Sequence, residues 1–261
     1  MSVITLTTDF GTGSPYVAAM KAVILCVNPA ATLVDLTHAI QPQDVRHGAL
    51  VLEDVCDRFP ADTTHVAVVD PGVGTERAMV YARIGRQSYV APDNGLLSRL
   101  SRRNPPSKII RLEKPKYWAH PVSATFHGRD IMAPVAAQLS LGLDPEKLGP
   151  PLKRLVELEW PEVHISPNKI EGNVLFVDSF GNLITDITAK MLSGRPTDSR
   201  AHIVCKARET WGIYQTYADV PAGNLVALIS SSGRLELACV GGSAAARFNA
   251  KVGTRVVVNW E

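Results

Sequence analysis

The first half of the chain alternates two spacings of apolar residues. Runs at 3–8 (VITLTT), 32–37 (TLVDLT) and 64–70 (THVAVVD) are short and rich in β-branched residues, and they read as strands. The third is nearly all apolar, as a strand covered on both faces would be. Between them, the residues from Ser14-Pro15 to about Asn28-Pro29 read as a helix, with Ser14 as N-cap and Pro15 in the first turn. DVRHGALVLEDVCDRF (44–59) likewise carries apolar residues at helical spacing. AMVYARIG, QSYVAPDNG and KIIRLE follow as strands, and RDIMAPVAAQLSLG (129–142) as a further helix. Strands joined by helices predict parallel pairing with right-handed crossovers, so this half reads as an α/β domain, a mainly parallel sheet with helices on both faces.

The pattern changes at LGPPLKRLVELEWPEVHISPNK, where four prolines interrupt any sustained period, as in a linker. Beyond it lie short β runs: GNVLFVDS, NLITDI, AHIVCKAR, GIYQTY, LVALISS, RLELACV and TRVVVNW, split by Gly, Asn, Ser and Pro. No helix longer than a turn or two is evident there, and an all-β, barrel-like domain is expected. The division is an α/β N-terminal domain over 1–152, a linker over 153–168 and a β-barrel C-terminal domain over 169–261.

Composition then narrows the classes of function. The 261 residues are 46% hydrophobic and 20% charged, and the formal net charge is +2 with Lys and Arg dispersed, which argues against a nucleic-acid partner. No apolar run reaches the ~18 residues of a membrane helix, so no membrane partner is expected. MSVITLTTDFG lacks a basic n-region and enters a strand directly, so no signal peptide is expected. Cys26, Cys56, Cys205 and Cys239 lie far apart in apolar runs without CxxC spacing, and read as buried reduced thiols of a cytoplasmic protein.

Candidate chemistry collects where strands end. VVDPGVGTER (68–77) has two glycines spaced as in a phosphate loop, but the third glycine of a dinucleotide fingerprint is missing and a strand follows instead of a helix. A Pro-Gly turn explains Pro71, Gly72 and Gly74, but not the flanking Asp70 and Arg77. TTDFGTG places Asp9 at a strand end, APDNG places Asp93 and Asn94 at another, and ATFHGRD places His127 and Arg129 before a helix. Ligands of open parallel sheets bind beyond the carboxyl ends of the strands, so these groups are candidates for one crevice. In the β half, VDSFGNLITDI carries Asp178 and Asn182 around Phe180-Gly181, and LISSSGRLELACVGGSAA carries Ser231 and Ser232 before a small-residue return. Plain β-turns explain these two clusters equally well.

Taken together, TTDFG, TH-x-I-x-P, VVDPGVGTxR, APDNGLL, TFHGRD, DSFGNLITDI and the SSGRLELA…GSAA tail resemble the S-adenosyl-L-methionine hydroxide adenosyltransferases, relatives of fluorinase and chlorinase, in order from residue 3 to about 245. The resemblance implies an N-terminal α/β domain joined to a C-terminal β-barrel, and homotrimers whose sites lie between subunits. It implies hydrolysis of S-adenosyl-L-methionine, as substrate and without cofactor or metal, to adenosine and L-methionine. Asp70, Arg77 and His127 match the family's acid, arginine and histidine set at the attacking water. Asp9 matches the acid on the ribose hydroxyls, and Asp178 and Asn182 the grip on the methionine amino group. Ser231 lies where the methionine carboxylate is held. Tyr217 takes the place of an adenine-stacking phenylalanine, Phe180 faces the adenine, and Ala244 belongs to the segment whose backbone meets the adenine edge.

The chain also departs from the halogenating relatives. Gly128 stands where fluorinase has a halide-holding serine, Asp70 where it has a tyrosine, and Gln43 where it has a tryptophan; all three favour water over halide. Ser232 replaces an arginine near the methionine carboxylate. Two other readings stay open on the residues alone. In one, Asp9, Asp70, Asp93 and His127 ligate a divalent metal in a metal-dependent hydrolase. In the other, the chain is a non-catalytic module that binds S-adenosylmethionine or adenosine.

Overall fold

In the computed structural model, which describes residues 2–260, six strands form the sheet of a first unit that ends at Leu158. They are β1 (Val3–Thr8), β2 (Thr32–Thr37), β3 (Thr64–Val68), β4 (Met79–Ile84), β5 (Gln87–Pro92) and β6 (Lys108–Arg111), in the order β2-β1-β3-β5-β4-β6. β1 pairs in parallel with β2 and β3, and β3 with β5. β4 pairs antiparallel with both β5 and β6, so it alone runs against the others and the sheet is mixed at that edge. The cause is local: only Gly85 and Arg86 separate β4 from β5, and so short a connection permits only a hairpin.

Helices α1 (Tyr16–Val27), α2 (Val45–Val55), α3 (Ser98–Arg103) and α4 (Ala133–Ser140) cover the sheet. Alternation along the strands decides which helix meets which residue. Val66 and Val68 join Ile4, Leu6 and Val90 in one core with Met20 and Ile24 of α1 and Ala133, Ala136 and Ala137 of α4. Ala67 and Val69 join Val80, Ala82 and Tyr89 in another with Leu52 of α2 and Leu100 of α3. At about 1.5–3 kcal/mol for each large aliphatic side chain buried, these two faces hold the sheet between its helices.

Several local readings are corrected. Ser14 does not cap α1; its hydroxyl donates to Phe10 O at 3.1 Å, and Pro15 takes the cap position. Asp44 caps α2 by accepting from His47 N at 2.9 Å. The helix expected over 129–142 begins instead as a π-helical turn, Gly128–Met132, that leads into α4. Cys26 is exposed while Cys56, Cys205 and Cys239 are buried. Met20 and Ile24 take α1's inward stripe, and a residue two positions on from Ile24 is turned to the far side. No helix among the described residues is long and apolar enough to cross a membrane.

The second unit, from Glu159, is an antiparallel sheet with short helices. Its strands are β7 (His164–Ser166), β8 (Lys169–Val177), β9 (Leu183–Thr188), β10 (Ala201–Cys205), β11 (Arg208–Trp211), β12 (Leu225–Ile229), β13 (Arg234–Cys239) and β14 (Arg255–Trp260); α5 (Ala189–Leu192) and α6 (Ala244–Phe248) interrupt them. The order is β11-β10-β14-β8-β9-β13-β12, with β7 beside β8. The first part of β8 pairs with β14 and the last with β9, across a register shift between Val174 and Phe176 that turns the strand around the core. Tyr214, just past β11, bridges to Leu228 of β12 and donates its N–H to Ala227 O at 2.8 Å, so the sheet comes close to closing as a barrel. Ile170, Leu183, Ile203, Leu237 and Val258 are among the residues filling its interior.

Two readings change here. β7 lies within the proline-rich stretch, with Ile165 opposite Ile170. GIYQTY is not a strand: the Asp219 carboxylate accepts from the N–H groups of Gln215 and Thr216, both at 3.1 Å, and the chain coils into a 3₁₀ turn at Tyr217–Asp219.

Candidate active site

β3 carries the chain through the sheet to Asp70, and the Pro-Gly turn brings it back to Arg77. Val73 N donates to Asp70 O at 3.2 Å and Thr75 N to Gly72 O at 3.1 Å. Gly74 has φ +82°, and a Cβ there would lie 2.9 Å from Ala124 O, so glycine is required on both counts. The returning Arg77 guanidinium donates from Nε to both Asp70 oxygens, at 2.7 and 2.8 Å, and from Nη2 to Oδ2. The Asp70 and Arg77 side chains are 5% and 9% exposed. The same Nη2 lies 3.0 Å from Nδ1 of His127, the residue before the π-helical turn.

Arginine can only donate, so His127 Nδ1 accepts, and a neutral imidazole in this arrangement carries its proton on Nε2. Burial, and after it the Arg77 charge, hold the His127 pKa below its ordinary value of 6.5, with Asp70 and Asp130 opposing. Acid, cation and imidazole thus form one hydrogen-bonded set. This set can hold a water between an acceptor and a donor.

The other strand-end groups divide. Asp9, past β1, accepts from Gln43 N at 2.8 Å and holds that residue at φ +67°. Asp93 is turned to the backbone, accepting from Val156 N at 2.8 Å, and burial raises its pKa. Asn94 donates to Val69 O at 2.8 Å and so pins the end of β3 just before Asp70. Arg129 pairs with Asp130 at 2.6 Å and lies 4.8 Å over the Phe126 ring, outside the Arg77 set. A Cβ on Gly128 would lie 3.3 Å from both Val68 methyls and 3.5 Å from Met20 Sδ. Among the described residues no group of three or more His, Cys, Asp or Glu side chains is placed to hold a metal ion. Asp9, Asp70, Asp93 and His127 are not assembled into one.

In the second unit, Asp178 closes the turn between β8 and β9. Its Oδ1 accepts from Phe180 N at 2.9 Å and Asn182 N at 2.8 Å, and its Oδ2 from Asn182 Nδ2 at 3.0 Å. Gly181, at φ +83°, is packed against Ser243 so closely that a Cβ would collide with it, and its carbonyl accepts from Ala245 N at 2.9 Å. This ties the DSFGN turn to the start of α6, where Ala244 is buried. Phe180, Asn182, Tyr217 and Cys239–Gly242 line a cavity of about 430 Å³. Ser231 is exposed on the turn between β12 and β13 and does not line it; beside it the Ser230 and Ser232 hydroxyls lie 2.9 Å apart.

Glu236 was not singled out by the sequence. It is 3% exposed and accepts from the Tyr217 hydroxyl at 2.6 Å. Burial first, then Glu236 and Asp178, push Tyr217 up to about 12; burial likewise raises Glu236, with the Asp178 charge adding and the Tyr217 bond opposing. The signal available was a lone acid inside RLELAC, in a run otherwise apolar after Arg234.

Comparison with known proteins finds similarity over nearly the whole chain. The model of the SAM hydroxide adenosyltransferase N-terminal domain matches residues 4–149, and that of the C-terminal domain residues 172–257. A Thermus thermophilus protein named (R)-S-adenosyl-L-methionine hydrolase is 40% identical, over 95% of this chain and 96% of its own. A protein of the same name from Methanocaldococcus jannaschii is 34% identical, over 91% and 88%. A fluorinase from Nocardia brasiliensis is 29% identical over 98% and 96%. The crystal structure of an uncharacterized conserved protein from Thermotoga maritima superposes with a TM-score of 0.93 at 34% identity, covering 98% of this chain and 99% of that one.

Proposed function

This chain belongs to the SAM hydroxide adenosyltransferase family, and from that premise we propose that it hydrolyses S-adenosyl-L-methionine to adenosine and L-methionine by attack of water on C5′ of the ribose. The oxygen of water forms the new bond to C5′ while the C5′–S bond breaks. The electron pair of that bond goes to sulfur, which leaves as a neutral thioether, so the leaving group needs no general acid. Water sheds one proton. The reaction calls for a positioned nucleophile with an acceptor for its proton, held away from bulk solvent.

The observation that carries this reading is the hydrogen-bonded Asp70–Arg77–His127 set, in which the Asp70 and Arg77 side chains are buried and His127 is half-buried. Asp70 Oδ1 takes one bond from Arg77, whereas Oδ2 takes two, so Oδ1 keeps a lone pair, and Asp70 accepts the hydrogen bond or proton of the attacking water there. Arg77 favours the anionic forms that develop there. His127 donates from Nε2 and orients the water oxygen. The substrate is held by Asp9 on the ribose hydroxyls and by Asp178 and Asn182 on the methionine ammonium, where Asp178 Oδ2 keeps a lone pair. Ser231 takes the methionine carboxylate, Tyr217 and Phe180 flank the adenine, and the backbone at Ala244 meets its edge. No cofactor takes part.

Each unit carries a polar set of its own, which supports a homotrimer in which a second copy completes each site. The working compartment is the cytoplasm, as the free cysteines suit.

The test is incubation of the chelator-treated protein with S-adenosylmethionine in ¹⁸O-labelled water, followed by mass spectrometry. Adenosine labelled at the 5′ oxygen, with one methionine per adenosine, is expected. Absence of label, or of adenosine, overturns the reading; calorimetric binding without turnover would leave a binding module.

A further inference from the structure

Glu236 has no part in the reaction as described, yet it is held in an unusual place for an acid. Along β13, Leu235, Leu237 and Cys239 point into the interior of the second unit. Alternation puts Glu236 on the opposite face, where its neighbour but one, Ala238, packs with Val226 and Leu228. A carboxylate in such a setting loses hydration that only a protein partner can replace. The Tyr217 hydroxyl supplies a partner at 2.6 Å, a short bond of the charge-assisted kind. The Tyr217 residue is itself 44% exposed, sits on a 3₁₀ turn outside the ladder, and lines the cavity shared with Phe180 and Asn182. The phenol therefore reaches inward to a buried acid while the residue stands at the cavity wall.

We propose that Glu236 is a positioning residue that tethers the Tyr217 hydroxyl and thereby fixes the Tyr217 ring as a preformed wall of the cavity for a flat nucleoside base. The inference rests on the reading of this cavity as the nucleoside end of the substrate site. A phenol is protonated and donating at neutral pH, and burial, followed by Glu236, pushes the Tyr217 pKa further up, to about 12. A ring already held loses no rotamer freedom when the ligand arrives, an advantage of about three- to tenfold in affinity. A phenylalanine at this position has no hydroxyl to tether.

The test is a double-mutant cycle with E236L, Y217F and the pair, with E236Q as the conservative variant. KM and kcat for S-adenosylmethionine, calorimetric affinity for adenosine, and melting temperature are read for each. E236Q keeps an acceptor and should retain KM within about twofold, whereas E236L and Y217F should each raise KM and weaken adenosine about three- to tenfold with kcat little changed. The double variant should be no worse than Y217F, because the tether is already gone.

Three outcomes overturn the proposal: E236L has the same effect in the Y217F background as in the wild type; E236L lowers kcat while sparing KM; or Y217F leaves both KM and adenosine affinity unchanged. Should E236L fail to fold, Y217F and E236Q decide by the same criteria. A wild-type protein that binds adenosine but does not cleave S-adenosylmethionine would sink the hydrolase reading alone, since the cycle can then be read on adenosine affinity.

Discussion

Arg77 Nε lies 2.7 and 2.8 Å from the two carboxylate oxygens of Asp70, a pair only 5–9% exposed at the carboxyl end of β3. A buried ion pair is held by its geometry, and removing either partner leaves the other charge uncompensated, at a cost of about 3–5 kcal/mol. Asp70→Ala should therefore lower stability to chemical denaturation by about that amount. At a temperature where the variant is folded, its kcat should fall about 10²–10⁴-fold while substrate affinity changes far less. Unchanged turnover in the folded variant would remove Asp70 from the mechanism.

In the proposed mechanism His127 works in its neutral form, because a proton on Nδ1 would expel the Arg77 donor. Its pKa is depressed, by burial first and then by Arg77. The free-enzyme profile of kcat/KM should thus hold as pH falls to 6.5 and decline below it. Arg77→Met, which removes the second cause, should move that acid limb upward. The linkage has the same sign: the unfolded imidazole binds its proton first, so the stability contributed by neutral His127 is present above 6.5 and is lost as pH falls toward the folded pKa. A limb that does not move in Arg77→Met would show that Arg77 does not set the charge state of His127.

Asp9 holds Gln43 N at 2.8 Å. Asp9→Ala should weaken substrate binding about ten- to a hundredfold, the value of a hydrogen bond to a charged group, with a smaller change in kcat. Calorimetry with adenosine and with 2′,3′-dideoxyadenosine separates the causes. If Asp9→Ala weakens both ligands equally, the diol assignment is wrong.

Gly128→Ser restores the residue type of fluorinase but not the room for it. The new Cβ would press the Val68 methyls at 3.3 Å, and the variant should lose about 1–3 kcal/mol through overpacking. With Asp70 still repelling anions, no 5′-halo-5′-deoxyadenosine should form in fluoride or chloride. Chromatography of the products together with a melting curve checks both statements.

His65 is fully buried in β3. Its Nδ1 lies 2.7 Å from Thr5 Oγ1, its ring stacks on Tyr89 at 5.0 Å, and burial lowers its pKa to about 4. Between pH 6.5 and 4 the unfolded chain takes up a proton there that the folded one does not. Stability should therefore fall as pH drops through this window, by up to about 3 kcal/mol from this residue. In His65→Phe that part of the slope should vanish, as measured by urea unfolding at pH 7 and pH 5. An unaltered slope would assign the acid sensitivity elsewhere.

Much of this was legible in the chain. VITLTT, TLVDLT and the helix at 44–59 emerged where their periods put them, because alternation and the 3.6-residue repeat act over a few neighbours. The turn joining Asp70 and Arg77 was legible for the same reason: the six residues between them, with Pro71, Gly72 and Gly74 among them, favour a turn that folds back. GIYQTY misled because Asp219 competes for the backbone N–H groups that a ladder needs. The proline-rich stretch hid β7, whose three residues gain their order from β8. APDNG showed a strand end but not its use, since Asp93 and Asn94 satisfy Val156 N and Val69 O instead of facing the Arg77 set.

By itself the sequence determined most of the elements, the two kinds of layer and the residue types proposed to act on a water, all consequences of local spacing and side-chain chemistry. Only the tertiary structure decided which of those residues meet. His127 is fifty positions from Arg77, and Glu236 nineteen from Tyr217. No local preference brings such pairs together. Burial of the two faces of the α/β sheet brings the first pair together, and closure of the β sheet around its core the second, because each hydrogen bond is worth far less than the apolar surface that sets its partners in place.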